Sequence, residues 1–146
     1  MRRPCPDRTA FRHWCREKLR NADTDQFRHV NNSVMASLFE AGRMELFNEA
    51  SIASQPGKAH PAVVRLLLDF HRELFYPGEV SIGTRVERVG DRSVEIMQGL
   101  FDSQGCIASA EAVCVFLDPA AGRATAIHEE FGKQLVAKGG LHVGEV

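Results

Sequence analysis

Residues 23–32 read Asp23-Thr24-Asp25-Gln26-Phe27-Arg28-His29-Val30-Asn31-Asn32, and a long amphipathic helical pattern follows them immediately. The stretch places a carboxylate, an imidazole and two amides in a short loop that ends at a helix N-terminus. The first backbone N–H groups of a helix have no intrahelical acceptor and carry the positive end of the helix dipole. A carboxylate that faces such donors can promote attack on a carbonyl group, whose developing oxyanion the donors stabilise. This loop is therefore the candidate functional site.

One long helix is predicted after the loop. Its buried face is predicted from apolar residues that recur at helical spacing, namely Met35, Leu38, Phe39, Gly42, Leu46 and Ala50. Asn32 can cap this helix, with Asn31 as the alternative, because a short amide accepts hydrogen bonds from the first free N–H groups. Glycine is costly inside a helix, so Gly42 predicts close contact with another backbone, such as a crossing sheet. Glu40 and Arg43 are spaced to pair along the helix.

Strands dominate the rest of the chain. Alternating apolar residues predict one strand at residues 11–20 and four more after Pro61. Because short turns join these four strands, consecutive strands are expected to be antiparallel neighbours. The element order β-α-β-β-β-β predicts an α+β fold, in which an antiparallel sheet of about five strands wraps one long central helix. We expect a single domain over residues 1–146, with a core at about residues 11–132 and flexible termini.

Composition and charge narrow the class of protein. The chain has 146 residues, of which 44% are hydrophobic and 25% charged, as in ordinary soluble globular proteins. Its formal net charge of −1 offers no general attraction for nucleic acid or for an anionic membrane, so neither is expected as a partner. The apolar runs fall far short of a membrane span, and the first residues lack the apolar core of a secretory signal. A cytoplasmic location is expected.

The cysteines show no pattern of their own. None forms a C-x-x-C pair or has metal-ligand spacing to a histidine; they are Cys5, Cys15, Cys106 and Cys114. Cys106 and Cys114 lie at opposite ends of one predicted strand, too far apart to bridge each other. We expect reduced thiols, no metal and no cofactor. A cysteine nucleophile is disfavoured because neither cysteine-bearing strand offers an adjacent base.

The loop motif, the helix and the strand order together resemble a known enzyme family. Asp23-Thr24-Asp25, then His29-Val30-Asn31-Asn32, then Phe39-Glu40 and Arg43, are similar to the hotdog-fold acyl-CoA thioesterases of the 4-hydroxybenzoyl-CoA thioesterase type. The similarity covers about residues 11–132. The resemblance implies a hotdog fold, hydrolysis of an acyl thioester, no metal or cofactor, and a homodimer or homotetramer with active sites at the subunit interface.

The resemblance also implies roles for individual residues. Asp25 matches the catalytic carboxylate, which either activates water or attacks the carbonyl group directly. The backbone N–H of Asn32 matches the group that polarises the thioester carbonyl. His29 is either a general base or, as we favour, a residue that orders the loop through hydrogen bonds from its ring nitrogens. The residues expected to contact substrate are Asn31, Met35 and Phe39.

Two departures from the family pattern concern the acyl pocket and the carrier group. Arg28 stands where many relatives have glycine, and Met35 stands where they have tyrosine. An unbranched thioether adapts to irregular apolar space, so Met35 favours an aliphatic acyl chain over a 4-hydroxyaromatic one. The His-Val-Asn-Asn string also resembles plant acyl-carrier-protein thioesterases, but those carry asparagine at the position of Phe27.

Two other functions are compatible with the same fold. One is a hotdog hydratase or dehydratase that acts on an acyl thioester without releasing the thiol. The other is a non-catalytic dimer that binds acyl thioesters, because a fold does not by itself determine chemistry. Product analysis separates the first from a thioesterase, and the absence of turnover identifies the second.

Overall fold

One antiparallel sheet and two helices make up the structure, a computed structural model that describes residues 1–140. The strands are β1 His13–Lys18, β2 His60–Phe70, β3 Glu79–Val89, β4 Ser93–Asp102, β5 Gly105–Asp118 and β6 Arg123–Ala124. The helices are α1 Asn32–Glu49 and α2 Glu129–Gly139. The predicted order β-α-β-β-β-β is confirmed through β5, and β6 and α2 extend it. The last six residues of the C-terminus, which was expected to be flexible, lie outside the described residues.

The sheet has the order β1-β3-β4-β5-β2, and the short β6 pairs with the end of β5. All these pairings are antiparallel, but β2 lies beside β5 rather than beside β3. The expectation that all consecutive strands are neighbours is therefore wrong for β2 and β3. Residues 71–78 instead cross the end of the sheet and connect the edge strand β2 to β3, which lies between β1 and β4. This crossing segment meets the loop at residues 23–32, where the N–H of Val30 donates to the carbonyl of Leu74 over 2.8 Å.

α1 packs on the sheet at β1, β3 and β4. Its buried apolar side chains are Met35, Leu38, Phe39, Leu46 and Phe47. The sheet residues that pack with them in the core include Ile82, Val86, Val94, Ile96 and Leu100. At the crossing point, a Cβ on Gly42 would lie 2.7 Å from Cγ2 of Ile82 and 2.9 Å from Nε2 of Gln98. The predicted close contact of Gly42 with a crossing sheet is therefore confirmed, but it is made with side chains of the sheet and not with the backbone that the sequence analysis expected.

Arg43 is buried between α1 and the sheet. Its guanidinium donates to Oε1 of Gln98 over 3.0 Å, and Nε2 of Gln98 donates to the carbonyl of Phe39 over 2.8 Å and to Oγ1 of Thr84 over 3.0 Å. In the described part of the chain, no ion pair joins Arg43 to Glu40, so the predicted pairing is wrong. The reason is that Arg43 lies on the buried face of the helix, where burial of its charge requires an internal acceptor.

α2 closes one end of the core. Phe131 and Leu135 are fully buried, and the ring of Phe131 packs edge-on against Phe116 at 5.0 Å and against Phe47 at 6.2 Å. Buried residues thus continue beyond residue 132, where the sequence analysis placed the end of the core. Within residues 1–140, no helix combines the length and apolarity needed to cross a membrane.

A disulfide joins Cys5 to Cys106, with a Cα–Cα distance of 6.3 Å. The expectation of four reduced thiols is therefore wrong for these two residues. The bond ties the N-terminal segment to β5, and the pairing spans 101 residues, so cysteine spacing in the sequence carries no signal for it. Cys15 and Cys114 are free and buried, as expected for reduced thiols.

Candidate active site

A cleft of about 490 Å³ opens at the N-terminus of α1. Its walls come from residues 25–35 and from residues 70–73, where the crossing segment begins. The structure brings together five residues that the sequence analysis singled out, namely Asp25, His29, Asn31, Asn32 and Met35. Phe39 does not line the cleft. It lies one turn beyond Met35 and is fully buried in the core, because that part of the helix packs against the sheet.

Backbone hydrogen bonds hold the loop that carries Asp25 in a closed conformation. The N–H of Asp25 donates to the carbonyl of His29 over 2.9 Å, and the N–H of Arg28 donates to the carbonyl of Asp25 over 3.0 Å. Closing this turn puts Arg28 in the left-handed region, with φ of 68°. Glycine adopts that conformation without the steric cost that other residues bear. This conformation suits the glycine that the family resemblance implies at this position.

The carboxylate of Asp25 is oriented by the same loop. Its Oδ1 accepts hydrogen bonds from the N–H of Phe27 over 2.8 Å and from the N–H of His29 over 3.1 Å. Its Oδ2 has no partner among the residues that the structure describes. One oxygen is thus fixed by the backbone, while the other is available to water or substrate in the cleft.

The N-terminus of α1 supplies free hydrogen-bond donors to the cleft. Asn31 is the N-cap residue, with φ of −61° and ψ of 142°, and Asn32 is the first helical residue, so the expectation that Asn32 caps the helix is wrong. Asn31, the alternative, holds the N-cap position, but its side-chain amide makes no capping hydrogen bond. The carbonyl of Asn31 accepts from Val34 over 3.0 Å and from Met35 over 3.1 Å. Within residues 1–140 the N–H groups of Asn32 and Ser33 have no acceptor. These donors carry the partial positive charge of the helix end.

His29 is held by packing rather than by the hydrogen bonds expected of it. Its ring meets Phe75 edge-on, with centroids 4.7 Å apart, and Nδ1 lies 3.6 Å from Oε1 of Glu73. The latter distance suits an ion pair when the imidazole is protonated but is too long for a hydrogen bond. The ring therefore sits between the loop and the crossing segment, at the wall of the cleft.

The crossing segment adds three polar residues that the sequence analysis did not assign: His71, Arg72 and Glu73. Nε2 of His71 lies 2.9 Å from Oγ of Ser109, and burial, with the charge of Arg2, holds the pKa of His71 below its ordinary value. Arg72 forms an ion pair with Asp102. The sequence signal for these residues was a polar run directly after a strand. This run indicates a site only when β2 is known to pair with β5, because that pairing brings the run to the cleft.

The ion pair with Arg72 anchors the crossing segment to the end of β4. Burial opposes ionisation of Asp102, but hydrogen bonds from Arg72 and from the N–H of Gln104 outweigh it and hold the pKa of Asp102 below its ordinary value. Asp102 is therefore charged at neutral pH, and it holds the side chain of Arg72 in an ion pair. Arg72 lines the cleft at Asp25 and also a neighbouring pocket that Asp102 lines.

An antiparallel sheet of five main strands that curls around one long helix, with a polar loop at the helix N-terminus, is a hotdog fold. The chain belongs to the thioesterase-like superfamily, whose family model matches residues 19–135. Membership supports hydrolysis of a thioester as the activity. The narrower assignment to the 4-hydroxybenzoyl-CoA thioesterase type stays a prediction.

Solved structures agree with membership of the thioesterase-like superfamily. A protein from Pseudomonas aeruginosa is 28% identical, with a TM-score of 0.83, and the match covers 92% of this chain and 96% of that chain. A thioesterase from Thermus thermophilus, solved in complex with coenzyme A and zinc, is 27% identical, with a TM-score of 0.79 and coverage of 90% and 96%. A predicted thioesterase from Bacillus stearothermophilus, 24% identical with a TM-score of 0.78, shares the fold over 86% and 95% of the two chains. The comparison with curated proteins found no match.

Proposed function

We propose that this protein hydrolyses an acyl-CoA thioester to the free acid and coenzyme A, with Asp25 as the catalytic carboxylate. The observation that carries the proposal is the geometry of the cleft. The unpartnered Oδ2 of Asp25 and the free N–H groups at the start of α1 border the same space. A carboxylate and an oxyanion donor are the two groups that acyl transfer from a thioester requires.

The reaction begins with the thioester oxygen at the N–H of Asn32. In one route Asp25 takes a proton from water, and the resulting hydroxide adds to the carbonyl carbon. The tetrahedral intermediate then expels the thiolate, which takes up the proton. In the other route Oδ2 adds to the carbonyl carbon and the thiolate leaves. Water then hydrolyses the mixed anhydride, which restores the Asp25 carboxylate and releases the proton that the thiolate takes up. In both, the helix donors stabilise the oxyanion, and one such donor is typically worth about 10²–10³ in rate.

Coenzyme A is the proposed carrier of the acyl group. The relative from Thermus thermophilus was solved with coenzyme A. In this chain Arg72 lines the cleft, and Arg28 is exposed on the loop beside it. Guanidinium groups bind phosphate oxygens through charge-assisted, often bidentate hydrogen bonds. These two arginines are therefore the proposed contacts for the phosphates of the carrier.

The proposed acyl group is aliphatic. Met35 lines the cleft one turn after the start of α1 and offers an adaptable apolar surface with only a weak acceptor. Asn31 borders the same space and is the proposed polar contact at the mouth of the pocket. A 4-hydroxyaromatic acyl group would bring a hydroxyl that needs a hydrogen bond, which Met35 does not provide.

We also infer a homodimer in which two copies meet at β2. This strand is an edge of the sheet and exposes Val63, Val64 and Leu66, with exposed fractions of 42%, 61% and 39%. An unpaired apolar edge strand is the kind of surface that proteins cover by pairing. Phe27 and Phe75 are also exposed, and both rings lie near His29 at the wall of the cleft. A partner subunit would thus complete the cleft wall.

Thiol release from a panel of short, long, branched and aromatic acyl-CoAs tests the function. The wild-type protein should release thiol, with higher kcat/KM for a medium-chain substrate than for 4-hydroxybenzoyl-CoA. In Asp25→Asn the Oδ1 acceptor remains, so both backbone hydrogen bonds and the loop are kept while the charge is lost. We expect kcat to fall about 100-fold or more, within the range ascribed to a positioned base.

Asp7→Asn is the matched control, since Asp7 also accepts a backbone N–H through Oδ1 but lies outside the cleft. It should leave kcat unchanged. If Asp25→Asn keeps more than about a tenth of the wild-type kcat, which is a barrier change below about 1.4 kcal/mol, Asp25 is not the catalytic carboxylate. Addition of water to an enoyl-CoA without thiol release would identify a hydratase instead. Binding without turnover of any substrate would identify a non-catalytic protein.

A further inference from the structure

A second cluster of ligand-type side chains lies between β1 and the C-terminal half of α1. Nε2 of His13 is 3.1 Å from Oε2 of Glu49 and 3.9 Å from Oε1 of Glu45. The three donor atoms all lie within 4.8 Å of one another. None of these residues lines the cleft at Asp25, and Glu45 lies about 20 Å along the helix axis from Asn32. The cluster is therefore separate from the proposed active site.

His13 has no hydrogen-bond partner for either ring nitrogen, although Nε2 lies within ion-pair distance of Glu45 and Glu49. The side chain is 5% exposed, and among residues 1–140 neither Nδ1 nor Nε2 makes a hydrogen bond. The 3.1 Å approach of Glu49 is close but lacks the alignment of a hydrogen bond. Two ligands of one metal ion lie close together without hydrogen-bond alignment, because each ligand points its lone pair at the ion and not at the other ligand. A buried imidazole without a partner is unfavourable and requires an explanation.

The carboxylates of the cluster also lack compensation. Glu45 and Glu49 are four residues apart on one helix face, a spacing at which like charges repel. They lie in the last two turns of α1, near the negative end of the helix dipole. In the described part of the chain, no lysine or arginine forms an ion pair with either residue.

We propose that His13, Glu45 and Glu49 bind a divalent transition-metal ion. One cation would accept the lone pair of the buried imidazole, neutralise both carboxylates and oppose the field at the helix end. Ligands of a tetrahedral zinc ion lie about 3.3 Å from one another. The separation of 3.1 Å between His13 and Glu49 is close to this value, while that of 3.9 Å between His13 and Glu45 is longer and requires Glu45 to move toward the ion. One imidazole nitrogen with two carboxylate oxygens suits Zn²⁺ better than Mg²⁺, which prefers oxygen ligands alone.

The position of the cluster determines what the ion would do. Side chains of Glu45 and Glu49 are 44% and 48% exposed, so an ion can enter from solvent and keep water as its remaining ligand. The buried His13 belongs to an edge strand, and the two glutamates belong to the central helix. The ion would tie this strand to the helix far from the cleft. Its effect is thus on stability, with no step in the proposed reaction.

Metal binding is tested on the untagged full chain after treatment with a chelator and its removal. Equilibrium dialysis against ZnCl₂ followed by metal analysis should find one Zn²⁺ per chain. Because the ion binds only the folded protein, the melting temperature should rise by about 5–10 °C at a free Zn²⁺ concentration of about 100 times Kd. MgCl₂ at the same concentration should produce a smaller shift.

Variants assign the binding to the cluster. Glu49→Gln removes a charged ligand with little change in volume and should weaken Zn²⁺ binding at least about tenfold, and Glu45→Gln should do the same. Glu40→Gln is the matched control, because it makes the same change on an exposed position of the same helix and should leave binding unchanged. Cys106→Ser should also leave it unchanged, which separates this site from the group formed by Cys5, His71 and Cys106.

The same measurements can overturn the proposal. The glutamine variants retain the fold if they melt cooperatively without metal, and removing one of two repelling charges should not lower that melting temperature. If the wild-type chain takes up no Zn²⁺, or if folded Glu49→Gln and Glu45→Gln both bind it as tightly as the wild type, there is no metal site at His13. Loss of binding in Cys106→Ser alone would place the ion at the other group.

Discussion

Replacing Gly42 with alanine tests the close contact between α1 and the sheet. The added Cβ would lie 2.7 Å from Cγ2 of Ile82, 2.9 Å from Nε2 of Gln98 and 3.0 Å from Oγ1 of Thr84. Two of these atoms belong to the buried hydrogen-bond network in which Gln98 joins the helix carbonyl of Phe39 to β3. The methyl group therefore cannot be accommodated without moving either the helix or this network.

The expected loss of stability follows from opposing contributions. Alanine gains about 1 kcal/mol over glycine in helix propensity. Overpacking of a filled core costs about 1–3 kcal/mol, and each neutral hydrogen bond lost from the Gln98 network costs about 1 kcal/mol more. We expect a net decrease of about 2 kcal/mol in the free energy of unfolding. For a chain of this length the melting temperature should fall by about 4–8 °C.

Urea and thermal unfolding measure this change, and Gly132→Ala supplies the control. Gly132 also lies in a helix, but a Cβ there would meet Cγ2 of Ile127 at 3.5 Å and Cγ1 of Val89 at 3.8 Å, which are ordinary contacts. This control should leave stability unchanged or raise it by up to about 1 kcal/mol. If Gly42→Ala proves as stable as the wild type, the helix does not cross the sheet as closely as the structure places it.

Two further predictions concern the active-site loop and the edge strand. Arg28→Gly should raise the free energy of unfolding by up to about 1 kcal/mol in urea titrations, because φ of 68° strains arginine, and a decrease would contradict this account of the loop. Val64→Lys should convert the dimer to monomer in light scattering at assay concentration, since a charge on an edge strand opposes pairing. Val64→Thr keeps the branched shape and should weaken the dimer less. An active wild-type monomer would refute the dimer inferred through β2.

The architecture of the domain was largely predictable from local patterns. The apolar stripe from Met35 to Ala50 predicted α1, and alternation predicted the five main strands. Gly42 predicted that the sheet crosses close to α1, because glycine is unfavourable inside a helix and an unusually close contact is a reason to find it on the apolar face. The loop at residues 23–32 predicted donors at a helix N-terminus, since capping residues directly precede the helical pattern. Each of these inferences depends on residues a few positions apart, which periodicity and capping rules describe.

The position of β2 could not be predicted in this way. Alternation identifies a strand but does not determine its neighbour, and the connection of residues 71–78 is short enough to suggest a simple turn. Pairing of β2 with β5 instead sends the connection across the sheet, which brings His71, Arg72 and Glu73 to the wall of the cleft. Phe39 was expected to contact substrate, but it does not line the cleft, because its side of the helix faces the core.

What the sequence by itself determined is the identity of the elements, one sheet packed on one long helix, and the loop that carries Asp25, because these depend on local spacing. The hotdog fold was an expectation from the resemblance that the loop motif carries. Only the tertiary structure decided which distant residues meet. The disulfide joins Cys5 to Cys106, and His13 meets Glu45 and Glu49 across more than 30 positions of sequence. Such contacts follow from the order of the strands and the packing of the helices. Both are determined by the free energy of packing the whole core and not by residues that are close in sequence. Residues that lie far apart in the chain therefore gain their chemical environment only when the sheet closes around the helix.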